Sequence, residues 1–285
     1  MLKKPKATKH MFHYKFLIVS CSVCLLPPPL LSGCGTSSAD ISQETSKLPV
    51  ITIGCDTYSP FSYLDVDGNI TGIDVELADE AFGRMGYQPE FQIINWEEKK
   101  DLVDTGAIDC IWSSFTMDGR EAEYNWAGPY MQSHQVVAVN PDSDIHTLSD
   151  LKDKIIAVQS TTKPEDIIRS HNGTLPELKK VISVQKRELI FILTSKDYVD
   201  ALAAHDTSVE QFMSESGLNF RILDEPLLTV GLGVAFSVND TRGIDKELSE
   251  TLDEMRKDGT IRRIIEKYLS DPDRYLNDKG DNYEK

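Results

Sequence analysis

The sequence contains little positive charge for its length. Thirty Lys and Arg residues stand against 46 Asp and Glu residues, which gives a net charge of -16 at pH 7. Such an acidic surface repels nucleic acids and anionic lipid headgroups, so we expect no nucleic-acid partner. Glycine and proline are sparse too, with 17 and 13 of 285 residues, which argues against a fibrous or disordered chain. The apolar content of 40% is enough for the packed core of one large or two ordinary domains.

The N-terminal region has no acidic residue and leads into a short apolar stretch. Residues 1–15 contain five lysines, and residues 16–33 read FLIVSCSVCLLPPPLLSG. A basic segment before a short, proline-interrupted apolar segment predicts a secretory signal, residues 1–33, and not a membrane-spanning helix. Translation from Met1 or from Met11 is consistent with this pattern.

The apolar stretch ends in Leu-Ser-Gly-Cys, which resembles the lipobox of bacterial lipoproteins. An ordinary signal with a chance cysteine is the alternative, but the small residues before Cys34 and the polar residues after it favour a lipoprotein. We therefore predict lipidation of Cys34 and a flexible tether over residues 34–49. Because each buried CH₂ contributes about 0.8 kcal/mol, acyl chains would anchor the protein to the outer face of a bacterial cell membrane.

Cysteine and histidine show no spacing typical of a metal site after the signal, so we predict no metal ion and no cofactor. Cys55 and Cys110 lie in apolar, strand-like stretches. They could form a disulfide outside the cytoplasm, but two buried free thiols is the interpretation that we favour. The segment DVDGNITGIDVE resembles a calcium loop, yet it has Ile70 where that loop requires glycine, so we expect a hairpin there.

Short apolar runs alternate with helical patterns from Leu48 onward. The strand patterns VITIGCD, EFQIINW and AIDCIWSS are separated by DVELADEAFGRMGY and WEEKKDLVDTG, which have helical spacing. This alternation is typical of an α/β fold with a mostly parallel sheet and helices on both faces. A second set follows QVVAVNPDS, so we expect two lobes: residues 50–138 with 232–285, and residues 139–231. The stretches VVAVN and GVAFSVN are the expected crossings between them.

Polar and aromatic residues collect where the predicted strands of both lobes end, which is where open α/β sheets bind ligands. Arg120 offers two parallel donors to a carboxylate, and free N–H groups at a helix start after Thr162 would support the same group. An acid across the cleft, Asp206, would bind an ammonium. The pattern indicates a site for a small zwitterion, with these candidate residues: Asp56, Tyr58, Trp96, Ser113, Ser114, Thr116, Arg120, Gln159, Thr161, Thr162 and Asp206.

The stretch from about Val50 to Tyr268 resembles the extracytoplasmic solute-binding proteins of polar-amino-acid ABC importers, solute-binding protein family 3. The matching segments are GCDTYSPF, GIDVELADEAFGRMG, LVDTGAIDCIWSSFTMDGREAEYNWAGPY, LSDLKDKIIAVQSTT and LDEMRKDGTIRRIIEKYL. The resemblance implies a two-lobed periplasmic-binding-protein fold of type II, whose lobes are joined by two hinge strands and close over one ligand. It also implies a non-enzymatic monomer that delivers an amino acid, which we expect to be polar, to an ABC-type permease.

The resemblance also implies a role for each matching position. The aromatics sandwich the ligand's side chain, the segment with Ser114 and Thr116 contacts its α-amino and α-carboxylate groups, and Arg120 binds the carboxylate. The remaining roles are Thr161 or Thr162 as partner of Arg120, Asp206 for the ammonium, and Asp56 and Gln159 for a polar or cationic side chain.

Two alternatives to transport remain open from the sequence. A few proteins of this fold are dehydratases of prephenate-like or arogenate-like acids, and such an enzyme would need a proton donor over the substrate. His205 and Asp206 are the candidates for that donor, although His205 fits a structural or rim residue better. A sensory or adhesive surface lipoprotein is the other alternative.

Overall fold

A computed structural model describes residues 47–170 and 175–276. The predicted signal peptide, the lipidation site Cys34 and nearly all of the tether lie outside the described residues. Within the described part of the chain, no helix is both long enough and apolar enough to cross a membrane.

The first half of the described chain follows the expected alternation of strands and helices. Helix α1 is followed by Gly86, whose φ of 79° is unfavourable for residues with a side chain and favours the end of the helix. The elements are β1 (Val50–Cys55), β2 (Tyr63–Leu64), β3 (Ile70–Thr71), α1 (Ile73–Arg84), β4 (Gln88–Ile93), α2 (Lys99–Asp104), β5 (Cys110–Thr116) and β6 (Tyr124–Val139). Strands β2 and β3 pair antiparallel and form the predicted hairpin.

The second half continues the alternation and ends in two helices. Helices α6 and α7 are separated at Gly259, as the sequence predicts. The elements are β7 (Ile155–Gln159), α3 (Lys163–Arg169), β8 (Lys180–Val184), α4 (Glu188–Ser195), β9 (Ala201–His205), α5 (Asp206–Ser216), β10 (Arg221–Ile222), β11 (Leu228–Ser237), α6 (Ile244–Lys257) and α7 (Thr260–Ile265). Three 3-10 turns add to these, at Trp96–Glu98, Leu148–Leu151 and Pro272–Arg274.

The large strands form one sheet in the order β4-β1-β5-β11-β6-β9-β7-β8, with β10 beside β6. Strands β1, β4 and β5 are parallel at one end of this sheet, and β7, β8 and β9 are parallel at the other. Between them run β6 and β11, which pair antiparallel over most of their length. The predicted mixed α/β fold with two lobes is confirmed. The exact lobe boundaries, after residue 138 and before residue 232, stay predictions.

Each parallel end has its own apolar core. In the first lobe, buried aromatic and aliphatic residues of β1, α1, β5 and α6 pack together, Phe82 and Trp112 among them. In the second lobe, two clusters cover the two faces of the β7–β9 region. Cys55 and Cys110 are both free and buried, and burial raises the pKa of Cys55 to about 12.

Candidate functional site

A cavity lies between the lobes, beyond the carboxyl ends of β5, β7 and β9. Nine of the eleven residues that the sequence singles out line it: Tyr58, Trp96, Ser113, Ser114, Thr116, Arg120, Gln159, Thr161 and Thr162. Further lining residues are Phe115, Lys163, Pro164, Arg187, Ile190, Ala203, Ala204 and His205. The structure brings the predicted residues together, whereas their contacts with a ligand stay predictions.

The first-lobe wall is formed by the end of β5, where the backbone leaves its regular strand conformation. Ser114 has a φ of 49°, in the left-handed region that residues with a side chain seldom adopt. Its N–H donates to Oδ2 of the buried Asp74 at 2.7 Å, which holds this conformation in place. Burial raises the pKa of Asp74 to about 7. The Ser114 hydroxyl is buried and has no partner among the described residues, so it is available to a ligand.

Aromatic rings cover two sides of the cavity. Trp96 packs edge-on against Phe115, with ring centroids 5.4 Å apart. The indole N–H of Trp96 is buried and has no partner within residues 47–170 and 175–276. Tyr58 lies 5.8 Å from the ring of His205. The rings of Tyr58, Trp96 and Phe115 offer a ligand apolar contact from the first lobe, and His205 faces them from the second.

Arg120 crosses the cleft. Its side chain is 8% exposed, and Nη2 donates to Oδ2 of Asp166 at 2.5 Å. Its guanidinium carbon lies 5.1 Å from the Phe115 ring centroid. Trp126 donates from Nε1 to the backbone oxygen of Arg120, which fixes the loop that carries it. Arg120 therefore sits in the wall as a nearly buried cation whose carboxylate partner, Asp166, is half exposed.

The second-lobe wall is formed at the end of β7, where Thr161 also has a positive φ, of 55°. Lys99 of the first lobe donates to its carbonyl oxygen at 3.1 Å and to its hydroxyl at 2.9 Å. Helix α3 begins at Lys163, and Pro164 occupies its first turn. Because proline has no N–H, that turn has fewer donors to offer a carboxylate than the sequence suggested.

Asp56 lies beside the cavity and not in its lining. Its Oδ2 accepts from Gln159 at 2.8 Å and from Arg187 at 3.3 Å, and its Oδ1 accepts from the backbone N–H of Thr57. Its oxygens are thus already bonded within the protein. It supports Gln159 and Arg187, which do face the cavity.

The structure does not place Asp206 in the cavity lining, so its predicted contact with an ammonium gains no support. The carboxylate is fully buried and accepts from Arg274 at 2.9 Å, from His134 at 3.0 Å and from the N–H of Thr207 at 2.8 Å. Burial disfavours its ionisation, but the hydrogen bond and charge of His134, with those of its other partners, outweigh burial and lower the pKa of Asp206. The residue that faces the cavity is the preceding one.

His205 lines the cavity at the end of β9. Its Nδ1 lies 2.7 Å from the Ser133 hydroxyl, and its ring also contacts the Gln135 amide. Burial, together with the charge of Arg187, lowers its pKa to about 3, so the ring is neutral at pH 7. A strand that ends in two polar residues does not show which of them faces the cavity, and the sequence favours Asp206 only because an acid there could bind an ammonium.

Sequence reasoning missed Lys99 and Arg187. Lys99 lies in a predicted helix beside a second lysine, with no pattern to distinguish it from a solvated one. Arg187 is the first residue of the apolar stretch RELIFIL and lies three residues after Val184, the end of β8. Both are brought to the site by tertiary packing. In the part of the chain that the structure describes, no three His, Cys, Asp or Glu side chains are grouped to hold a metal ion.

Comparison with known proteins agrees with this architecture. The sequence profile of the bacterial extracellular solute-binding proteins, family 3, matches residues 51–271. The probable amino-acid-binding protein YxeM of Bacillus subtilis (strain 168) is 25% identical over 245 residues, which cover 85% of this chain and 91% of that protein. The arginine-binding extracellular protein ArtP of the same organism is 27% identical over 262 residues, covering 90% and 98%.

Among solved structures, the ancestral amino-acid-binding protein AncCDT-1, a precursor of cyclohexadienyl dehydratase, is similar with a TM-score of 0.68 and 26% identity. The similarity covers 77% of this chain and 95% of that one. The match to the family extends over most of the chain and includes every strand of both lobes. The chain belongs to the bacterial extracellular solute-binding proteins of family 3.

Proposed function

We propose that this protein captures a free amino acid in the cavity between its lobes and delivers it to the permease of an ABC importer. The observation that carries the proposal is Arg120, a nearly buried guanidinium in a cavity that both lobes line. Hydroxyl groups and aromatic rings surround it, as recognition of a small carboxylate requires. The similarity to YxeM and ArtP supports an amino acid as the ligand.

The cross-lobe contacts explain how a ligand would stabilise closure. Lys99 bonds Thr161, Asp56 bonds Gln159, and Glu97 accepts from Ser160 at 2.8 Å, each pair joining the two lobes. A ligand that contacts both walls adds to these bonds only when the lobes meet. Its binding energy therefore shifts the equilibrium towards the closed form, which a permease can distinguish from the open one.

The protein would act outside the cytoplasm, held at the membrane by lipid on Cys34. The lipobox-like sequence supports this part of the proposal. The polar residues that follow Cys34 provide a tether between the anchor and the folded lobes, so the cavity can reach a permease in the same membrane.

Replacing Arg120 tests the proposal. We expect Arg120→Ala to weaken amino-acid binding at least tenfold, about 1.4 kcal/mol, because a carboxylate loses its charged partner. Isothermal titration calorimetry measures this after thermal-shift screening has identified the bound amino acid. Arg84→Ala is the matched control, since Arg84 is paired with Glu80 and Asp258 away from the cavity. Equal affinity of the wild type and Arg120→Ala for the amino acid would show that Arg120 does not bind the ligand.

The dehydratase alternative is weaker on physical grounds. A dehydratase needs a proton donor, and the lowered pKa of His205 keeps its ring a neutral imidazole, which is a poor general acid at pH 7. The lowered pKa of Asp206 keeps it ionised, and its partners occupy it outside the cavity. We therefore expect any bound ligand to be recovered unchanged, and chromatography after prolonged incubation measures this.

A further inference from the structure

The cavity wall is rich in cations, although the chain as a whole has a net charge of -16. Four basic side chains line the cavity or lie directly behind its wall: Arg120, Lys163, Arg187 and Lys99. Within the described residues, no Asp or Glu belongs to the lining. The local charge is therefore opposite to that of the protein surface, and this difference selects among ligands.

Lys99 is the most informative of these cations, because its charge is buried and not paired. It is 6% exposed, and its ammonium donates to three neutral oxygens, one of Trp96 and two of Thr161. It also lies 4.8 Å from the Trp96 ring centroid. It forms no ion pair with any residue in 47–170 or 175–276. A buried charge without a counter-ion costs free energy, which an anion in the cavity would offset.

The two carboxylates that bond cationic residues of the lining are already engaged. Asp166 accepts from Arg120 at 2.5 Å, and Asp56 accepts from Gln159 and Arg187. Neither is free to neutralise the ammonium of a cationic side chain. A lysine or arginine ligand would therefore bring a further positive charge next to cations that have no spare counter-ion.

Arg187 provides a second anchor for an anion. Its guanidinium lies over the ring of Tyr58, with the central carbon 3.3 Å from the ring centroid. Of its five N–H groups, two are used, by the backbone oxygen of Thr57 and by Asp56. The remaining N–H groups leave it able to donate to a carboxylate. The neutral His205 beside it adds no negative charge that would compete.

From these contacts we propose that the cavity selects dicarboxylate ligands, with one carboxylate at Arg120 and the second bound by Arg187 and the field of Lys99. In terms of the proposed function, on which this inference rests, the cargo is an acidic amino acid and not a cationic one. An acidic side chain is polar, as expected from the sequence, so the inference departs only from the cationic alternative that Asp56 and Gln159 suggested. A cationic side chain would require an Asp56 carboxylate that is free to bind it, whereas this carboxylate accepts from Gln159 and Arg187.

Calorimetric titration of the lipid-free protein, residues 35–285, with five ligands tests the proposal. Glutamate and glutamine differ in one charge and hardly in size, and arginine reverses the charge. Aspartate has a shorter side chain than glutamate and so tests the distance between the two carboxylates. Glutarate has both carboxylates but no amine, and so tests whether the amine is needed. We expect glutamate or aspartate to bind at least tenfold more tightly than glutamine, and arginine to bind more weakly than glutamine.

Two variants test the named cations. We expect Lys99→Met and Arg187→Gln each to weaken glutamine binding too, because Lys99 bonds Thr161 and Arg187 bonds Asp56 across the cleft. The loss of affinity for the dicarboxylate should nevertheless be at least tenfold larger than the loss for glutamine. Lys100→Met is the matched control, because Lys100 is adjacent in sequence but half exposed and paired with Asp104. If Lys99→Met fails to fold, the preference of the wild type for glutamate over glutamine still tests the dicarboxylate inference.

The outcomes separate this inference from the proposed function. Tightest binding of glutamine or arginine would overturn the dicarboxylate inference and leave amino-acid capture in place. Binding of glutarate with no binding of any amino acid would support the dicarboxylate inference and overturn amino-acid capture. If none of the five ligands binds, the dicarboxylate inference is wrong, and amino-acid capture is wrong as well if the thermal-shift screen finds no amino acid that binds.

Discussion

Two adjacent residues at the end of β9 belong to charged regions of opposite character. Asp206 lies in a buried cluster in which Arg274, His134 and the Thr207 N–H surround one carboxylate. His205 faces the cavity, where basic residues outnumber the carboxylates that pair with them. In the cluster every charge has a partner within the protein. In the cavity part of the positive charge has none.

This difference distinguishes a structural ionic site from a ligand site. Buried charges that are fully bonded hold parts of the chain together: Asp206 connects the start of α5 to β6 and to the C-terminal segment with Arg274. Buried charges that lack a counter-ion cost free energy in the empty protein, and a ligand of opposite charge recovers it. Charged side chains are buried in both regions, so burial does not distinguish them. The regions differ in whether each buried charge has a partner of opposite charge within the protein.

The largest expected effect is on stability, from Asp206→Asn. The change removes the charge to which Arg274 and His134 donate, and charge-assisted hydrogen bonds contribute about 1.5–3 kcal/mol each. We expect the free energy of unfolding to fall by about 2–3 kcal/mol, measured by urea denaturation. Asp224→Asn, at an exposed position, is the control.

Acid denaturation of the same variant tests the direction in which the contribution of Asp206 to stability changes with pH. The folded pKa of Asp206 is lowered, so its contribution is present at neutral pH and is lost as the pH falls through that lowered pKa. The unfolding free energy of Asp206→Asn should therefore decline less steeply below pH 4 than that of the wild type. Parallel curves for the two proteins would contradict the role given to Asp206.

An intermediate effect is expected from pH on the cavity. Burial, together with the charge of Arg120, lowers the pKa of Lys99 to about 8, although Asp166, Glu123 and Asp56 act in the opposite direction. Lys99 therefore loses its charge between pH 7 and 9, and the affinity for a dicarboxylate should decrease severalfold. Glutarate is the ligand for this titration, because it has no amine that titrates there. In Lys99→Met the affinity should be nearly constant over this range.

The dependence of protein stability on pH provides a second measurement of the Lys99 charge. Its folded pKa lies below the unfolded value of about 10.4, so the unfolded chain binds more protons between the two values. The stability of the ligand-free protein should therefore gain a contribution from Lys99 as the pH rises from 8 to 10, and Lys99→Met should lack this contribution. Absence of a difference would mean that Lys99 is better solvated than the structure shows.

The smallest effect is expected from Asp166→Asn, the counterpart in the cavity of Asp206→Asn. Asp166 is half exposed, so its pair with Arg120 is screened and contributes about 0.2–1 kcal/mol. We expect a change in unfolding free energy within that range, and a less than fivefold increase in dicarboxylate affinity because Arg120 loses a competing partner. A loss of stability as large as that of Asp206→Asn would remove the distinction between the two regions.

Much of the fold and of the site could be predicted because it depends on local patterns. Apolar periodicity marks β1, α1, β5 and the pair α6–α7, and the glycines at 86 and 259 mark helix ends. The rule that ligands bind beyond strand ends located Tyr58, Ser114, Arg120 and Thr161 in one cavity. These features can be predicted because they depend only on residues that are close in sequence and on the direction in which each strand runs.

The sequence by itself determined that this is a two-lobed α/β protein with Arg120 at a cleft between strand ends. Only the tertiary structure decided which charges are neutralised. Asp206 turns away to Arg274, about 70 residues further along the chain, whereas Lys99 is brought against Thr161 of the other lobe. The physical reason is that the energy of a buried charge depends on its partners in space, and those partners are distant in sequence.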